Sequence, residues 1–145
     1  MIEFVKGDLF KSKAEALVNP VNCEGVMGKG LAKAFKERWP EMDASYRRSC
    51  AAGELRPGRV LLYPHSVPKI VLFATKGDWR QMSQYVYIQD GLKQMKAELP
   101  TWLVSSVAMP AIGCGLGGLS WKVVRGLIET HLQDVPAKIE VYEPE

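Results

Sequence analysis

Two glycine-rich loops, one near each end of the chain, restrict what these 145 residues can fold into. The first runs Asn19-Pro20-Val21-Asn22-Cys23-Glu24-Gly25-Val26-Met27-Gly28-Lys29-Gly30, the second Pro110-Ala111-Ile112-Gly113-Cys114-Gly115-Leu116-Gly117-Gly118. Each follows a β-rich apolar run and opens onto a helical pattern. A loop without side chains at a helix N-terminus turns bare backbone N–H groups toward an anion. Two of them in one small domain point to a ligand with an extended phosphate, gripped from both sides.

Strand and helix patterns alternate along the chain. Ile2–Val5, Ala16–Val18, Val60–Tyr63, Ile70–Ala74, Val104–Met109 and Ile139–Tyr142 read as strands. Leu31–Trp39 reads as a helix stopped by Pro40, and Met42–Ala52 as a second one ending at Gly53. Tyr85, Ile88, Leu92, Met95 and Leu99 mark an amphipathic helix with Ser83 as its N-cap. Ser120 caps another, whose apolar face is Val123, Val124, Leu127, Ile128 and Leu132. This interleaving predicts an α/β sheet covered on both faces, with ligands beyond the carboxyl ends of the strands, where both loops fall.

The chain has the size of one domain, and 47% hydrophobic with 24% charged residues is ordinary for a soluble globular protein. No apolar run is long enough to span a membrane, and the N-terminus carries no leader pattern, so a cytoplasmic protein is expected. Cys23, Cys50 and Cys114 have neither zinc-type spacing nor a disulfide framework, which predicts reduced thiols and no metal site. A net charge of +3 fits contact with a polyanion, though mildly. His65 lies in a proline-flanked turn, and His131 serves as a cation near a helix end rather than as a catalyst.

Two nucleotide-binding motifs account poorly for the loops. A P-loop would need glycine where Cys23 stands and a hydroxyl residue where Gly30 stands. Gly113, Gly115 and Gly118 do satisfy a Rossmann fingerprint, with Glu143 near the end of the next strand as a ribose ligand. That motif normally opens its domain, however, and it leaves the first loop unexplained.

A third pattern uses both loops. Gly7-Asp8-Leu9, Asn19-Pro20-Val21-Asn22, Gly25-Val26-Met27-Gly28-Lys29-Gly30 and Ile112-Gly113-Cys114-Gly115-Leu116 stand in the order found in macrodomains, and the resemblance spans residues 7 to 121. It implies a three-layer α/β/α fold with a central mixed sheet and an ADP-ribose pocket. Thr75-Lys76, Trp79-Arg80 and Gly115-Leu116-Gly117-Gly118-Leu119 further resemble the branch containing terminal ADP-ribose protein glycohydrolase. Within it the chain is most similar to DarG-type antitoxins, which remove ADP-ribose from thymidine in DNA modified by a DarT-type toxin.

The resemblance assigns roles. Asp8 accepts from the adenine amine and the Leu9 N–H meets a ring nitrogen. Asn22 binds the distal ribose, bordered by Gly28, Lys29 and Gly30. Ile112, Gly113, Cys114, Gly115, Leu116 and Gly117 wrap the diphosphate, and Thr75 completes the ligand-binding set. Lys76 attacks the anomeric carbon of the distal ribose, forming a Schiff-base-type adduct that water releases, which requires an unprotonated amine. On residue chemistry alone, Asp8 and Asn22 equally suit turns, and Lys76 suits a solvated strand end.

Protein-directed members carry an aspartate just after the glycine-leucine step, where this chain has Gly117 and Gly118. Proton transfer must then come from substrate, water or another acid, for which Asp78 is the nearest choice. The resemblance implies no cofactor, and a monomer that acts on ADP-ribosylated single-stranded DNA and meets a DarT-like toxin. It also implies that residues 1–145 form a single macrodomain excised from a longer antitoxin chain. The rival readings are a non-catalytic ADP-ribose-binding module and a hydrolase of ADP-ribosylated protein carboxylates. Trp79 and Arg80 either clamp an unstacked base or pack at a corner. Arg47, Arg48, Arg56 and Arg59 with Lys33 and Lys36 form either a phosphate rim or solvated faces.

Overall fold

All six apolar runs become strands in the computed structural model, which describes residues 1–145: β1 (Ile2–Val5), β2 (Ala16–Val21), β3 (Val60–Tyr63), β4 (Lys69–Ala74), β5 (Ser106–Met109) and β6 (Lys138–Tyr142). They form one sheet in the order β1-β6-β5-β2-β4-β3. Every neighbouring pair is parallel except β3 and β4, so the sheet is mixed, as expected. Helices α1 (Gly30–Arg38) and α2 (Pro40–Ala51) bury Phe35, Met42 and Tyr46 against Leu17, Ile70 and Leu72 on one face. Helices α3 (Tyr85–Glu98) and α4 (Trp121–Leu132) bury Ile88, Leu92, Val124 and Ile128 against Val18, Val71 and Phe73 on the other. Side chains alternate along a strand, so β4 can read Ile-Val-Leu-Phe without a polar break only because both faces are covered.

Several boundaries differ from expectation. Pro40 both ends α1 and opens α2, since a missing N–H is harmless in a first helical turn. Ser83 does not cap α3: Gln84 holds the N-cap position, while the Ser83 N–H donates to the Gly117 carbonyl (3.0 Å) and its hydroxyl turns under that loop. β5 starts at Ser106 rather than Val104, because Leu103 is left-handed (φ 57°) and Ser105 is tied by its N–H and hydroxyl to Glu15. Burial, with Lys93 and Lys96 nearby, pushes the His131 imidazole below its ordinary range, against the helix-end cation role. No helix is long and apolar enough to cross a membrane.

The functional geometry originates in a break in pairing. β2 pairs with β4 from Ala16↔Lys69 to Val21↔Ala74, but with β5 only at Ala16↔Val107 and Leu17↔Ala108. The Val21 carbonyl accepts from the Thr75 N–H (3.0 Å) on the β4 side. By alternation Pro20 faces the β5 side, where no partner remains and its missing N–H costs nothing. Past Leu17 the two strands separate and a crevice opens.

Packing behind the sheet is close. A β-carbon on Gly91, in the middle of α3, would fall inside the space of the fully buried Phe73 ring. Gly91→Ala should therefore destabilise the fold by about 1–3 kcal/mol in urea denaturation, the usual cost of overpacking, despite alanine's better helix propensity. Unchanged or raised stability would show that the α3–β4 contact is looser than described.

Candidate active site

Three loops leave the carboxyl ends of β2, β4 and β5 and meet around the crevice. The loop after β2 is organised by Asn22. Its Oδ1 accepts from the N–H groups of Glu24 (3.0 Å) and Val26 (3.3 Å) and from the Tyr46 hydroxyl (2.7 Å), and its Nδ2 donates to the Val26 carbonyl (2.7 Å). One amide N–H of Asn22 is left over. The turn role and the expected ribose role thus fall on different atoms of one side chain. Burial drives the Tyr46 phenol far above its ordinary range, so it stays a hydrogen-bond donor. The N–H groups of Gly28, Lys29, Gly30 and Leu31, at the N-terminus of α1, have no partner within the chain.

The loop after β5 folds on its own backbone: Cys114 N–H donates to Ala111 O (3.2 Å), Gly118 to Gly115 O (3.1 Å) and Leu119 to Gly113 O (2.9 Å). The N–H groups of Gly113, Gly115, Leu116 and Gly117 remain without partners. Ile112 is wholly buried and its N–H goes to Pro110 O, so it supports the loop from the core rather than facing a ligand. A β-carbon on Gly117 would collide with the Ser83 hydroxyl and the Gly113 carbonyl oxygen. The Ser83 hydroxyl is buried without a hydrogen-bond partner. A β-carbon built on Gly30 would come within 3.8 Å of the Leu116 side chain, so the first and third loops face each other.

The loop after β4 carries Lys76. Thr75, buried, extends the β2–β4 ladder by one residue, and Gly77 O accepts from Cys23 N–H (2.8 Å), joining this loop to the first. Lys76 is half-buried. The ion pairs of the chain involve Arg47, Arg80, Lys96, Arg125 and Lys138, which leaves Lys76 without a carboxylate partner. The Cys23 thiol beside it, 3.5 Å from the Lys76 carbonyl, is pushed up to about 12 by burial and is no nucleophile at neutral pH.

Asp78 does not suit the acid role that the sequence suggested. Arg80 binds both its oxygens (3.0 and 2.6 Å) and donates its N–H (2.8 Å), holding the carboxyl far below the ordinary range. Glu24 lies against that carboxylate, and sharing a hydrogen bond with it raises the Glu24 carboxyl. Glu24, a residue the sequence did not mark, is thus the member of this pair whose carboxyl is shifted upward. Trp79 is 44% exposed, with the Arg80 guanidinium 5.5 Å from its ring centroid, so it does not pack as a corner residue.

A cleft of about 530 Å³ takes in Asp8, Leu9, Cys114 and Gly115 from the expected set. Asp8 uses Oδ1 to accept from Phe10 N–H (2.9 Å), leaving Oδ2 free, and the Leu9 N–H is unpaired. Gly7 of the first motif, Pro110 and Ala111 of the second glycine loop, and Glu143, weighed only under the Rossmann pattern, line it too, while Leu31, Tyr142, Pro144 and Glu145 were not foreseen. The C-terminal residues arrive there because β6 pairs parallel with β1, and Glu143 N–H donates to Val5 O (2.9 Å). Asn22, Gly28, Lys29, Gly30, Thr75, Lys76, Gly113, Leu116 and Gly117 are not among the residues lining this cleft and occupy the loops that adjoin it.

The Macro domain family matches residues 18–128. A DNA ADP-ribosyl glycohydrolase of Thermus aquaticus is 38% identical over 149 residues, covering 99% of this chain and 41% of that protein. The solved macrodomain of Mycobacterium tuberculosis DarG is similar with a TM-score of 0.96 and 38% identity, covering 100% of this chain and 99% of that one. Thermosipho africanus DarTG in complex with ADP-ribose gives a TM-score of 0.94 at 34% identity, over 99% of this chain and 41% of that one. The chain spans about two-fifths of the length of such curated relatives.

The Tyr46 hydroxyl supplies the side-chain hydrogen bonding that ties α2 to Asn22, at its carbonyl (2.8 Å) and its Oδ1 (2.7 Å). Tyr46→Phe should lower stability by about 1–2 kcal/mol and speed hydrogen exchange at the Glu24 and Val26 N–H groups. Exchange at wild-type rates would mean that the loop holds its shape without α2.

Proposed function

The chain belongs to the macrodomain family, and on that premise we propose that it is a DNA ADP-ribosyl glycohydrolase that frees thymidine bases of ADP-ribose and so counters a DarT-like toxin. Its action is that of a cytoplasmic monomer. The observation that carries this reading is Lys76: a half-buried amine without an acidic partner, on a loop bonded to one glycine loop and adjoining the other, both with unpaired N–H groups. Names of relatives at 38–41% identity favour DNA over protein as the substrate. The crowding at Gly117, which leaves no room for a carboxylate, favours it too.

In this reading Asp8 Oδ2 and the Leu9 N–H recognise adenine, and the N–H groups of Gly113, Gly115, Leu116 and Gly117 face the diphosphate. The α1 N-terminus adds to them, so the negative charge is met without a cation. The remaining Asn22 N–H holds the distal ribose near Lys76. The Lys76 lone pair forms a bond to the anomeric carbon while the bond to thymine breaks, its electron pair leaving on the base, which takes up a proton. The ring oxygen leaves as a hydroxyl to give a Schiff base, and water then releases ADP-ribose and restores the amine.

Incubation with ADP-ribosylated single-stranded DNA and with ADP-ribosylated protein tests the substrate: release from DNA alone is expected, and release from protein alone would overturn the reading. Asp8→Ala should weaken ADP-ribose binding by about 1–3 kcal/mol in calorimetry, the scale for stranding a buried partner. Lys76→Ala should keep ADP-ribose affinity but lose turnover by several orders of magnitude, since a nucleophile acts only on the way to the transition state. Lys76→Arg should do no better, because guanidinium stays protonated. A Lys76→Ala protein with wild-type turnover would end the lysine mechanism.

A further inference from the structure

β3 is the antiparallel strand of the sheet, so its first residue, rather than its last, reaches the rim where β2, β4 and β5 end. The turn leading into it, Arg56-Pro57-Gly58-Arg59, is thereby carried to the Lys76 side of the crevice. It is fastened there through its backbone. Gly58 N–H donates to Ala74 O (2.8 Å), Ala74 N–H to Arg59 O (2.9 Å) and Arg59 N–H to Arg56 O (2.9 Å). Pro57 abuts Gly77, its ring 3.4 Å from where a β-carbon there would stand, and Leu55 anchors the turn in the core.

Arg56 and Arg59 are both exposed and neither has an acidic partner. Arg48, on α2, is likewise unpaired, whereas Arg47 binds Asp43, Arg80 binds Asp78, Arg125 binds Glu129 and Glu143, and Arg38 lies over the Phe10 ring. A locked turn that bears two unneutralised arginines thus stands beside the residue that follows Lys76. Two positions further along the same loop comes the exposed Trp79 ring.

This combination fits a chain that alternates phosphate with an open aromatic face. Phosphates satisfy the guanidiniums, and an unstacked base satisfies the indole. A duplex keeps its base faces stacked, and an acidic protein surface would match the arginines but not the indole. Resting on the glycohydrolase reading above, we propose that Arg56, Arg59 and Trp79 form a track for single-stranded nucleic acid. The two arginines hold backbone phosphates, and Trp79 stacks the base next to the modified one. The nucleotide cleft then binds the ADP-ribose, and the track selects DNA as its carrier.

The test uses the whole chain and an ADP-ribosylated single-stranded oligonucleotide. If the wild-type protein releases nothing from it, the glycohydrolase reading itself fails. If it does, the Arg56→Ala/Arg59→Ala variant should raise KM about tenfold or more, mainly without loss of kcat. The slope of log KM against log salt should also flatten by about 1.4, at ~0.7 for each phosphate contact on a single strand. Trp79→Ala should raise KM about tenfold with the salt slope retained, and Trp79→Phe should recover most of that loss. Affinity for free ADP-ribose should stay within about twofold in all three variants. Wild-type KM and salt slope in the arginine variant would overturn the proposal. So would a parallel loss of ADP-ribose affinity, or an equal KM increase on ADP-ribosylated protein.

Discussion

The parting of β2 from β5 is the constraint on which the site depends. A parallel strand normally bonds on both edges, and giving up one edge leaves backbone donors exposed unless the chain removes them or they serve a ligand. Pro20 removes the one that β2 would otherwise strand. The crevice lets loops from β2, β4 and β5 close around a common space rather than over a continuous sheet edge. Beneath the first loop, the wholly buried Asn19 amide reaches only the sulfurs of Met27 (3.7 Å) and Met42 (3.9 Å), and its Oδ1 has no partner. An unsatisfied buried acceptor of this kind costs about 1–3 kcal/mol. It is tolerated where the opening sheet leaves loose ends.

The three loops hold one another in place. Cys23 N–H to Gly77 O joins the first to the second, Ser83 N–H to Gly117 O joins the second to the third, and Leu116 on the third faces Gly30 on the first. Peptide dipoles fixed in this way need no reorganisation when a charge arrives, which makes them more effective than the same dipoles on a mobile loop. The charged side chains show a similar division. Arg80 is committed to Asp78 and holds that carboxyl down, while the neighbouring Glu24 carboxyl is shifted up.

The sheet, its four helices and the two glycine loops were legible because hydrophobic period and turn chemistry are local signals. The terminal four residues of the chain were not, since only the parallel pairing of β6 with β1 brings them beside Asp8. Glu24 was missed for a similar reason: the upward shift of its carboxyl comes from Asp78, more than fifty positions away in sequence. Ser83 has the residue type and spacing of a helix cap, yet its hydroxyl turns beneath Gly117, an orientation that no helical pattern encodes. For Arg56 and Arg59 the sequence left a phosphate rim and a solvated face equally open, because only the reversed direction of β3 brings their turn to the rim.

The crowding at Gly117 also bears on how such a domain can change over evolutionary time. Position 117 is closed from two directions, by a side chain on the approach to α3 and by the loop's own backbone at Gly113. Removing the Ser83 hydroxyl clears the first obstacle and leaves the second. No single substitution therefore leads to a chain with a functional group at 117, and neither does the pair 83 and 117 alone. The segment 113–119 would have to be replaced as a unit, by recombination or by an insertion that re-routes the turn. A functional group at 117 is then gained together with a new turn around it rather than by one substitution.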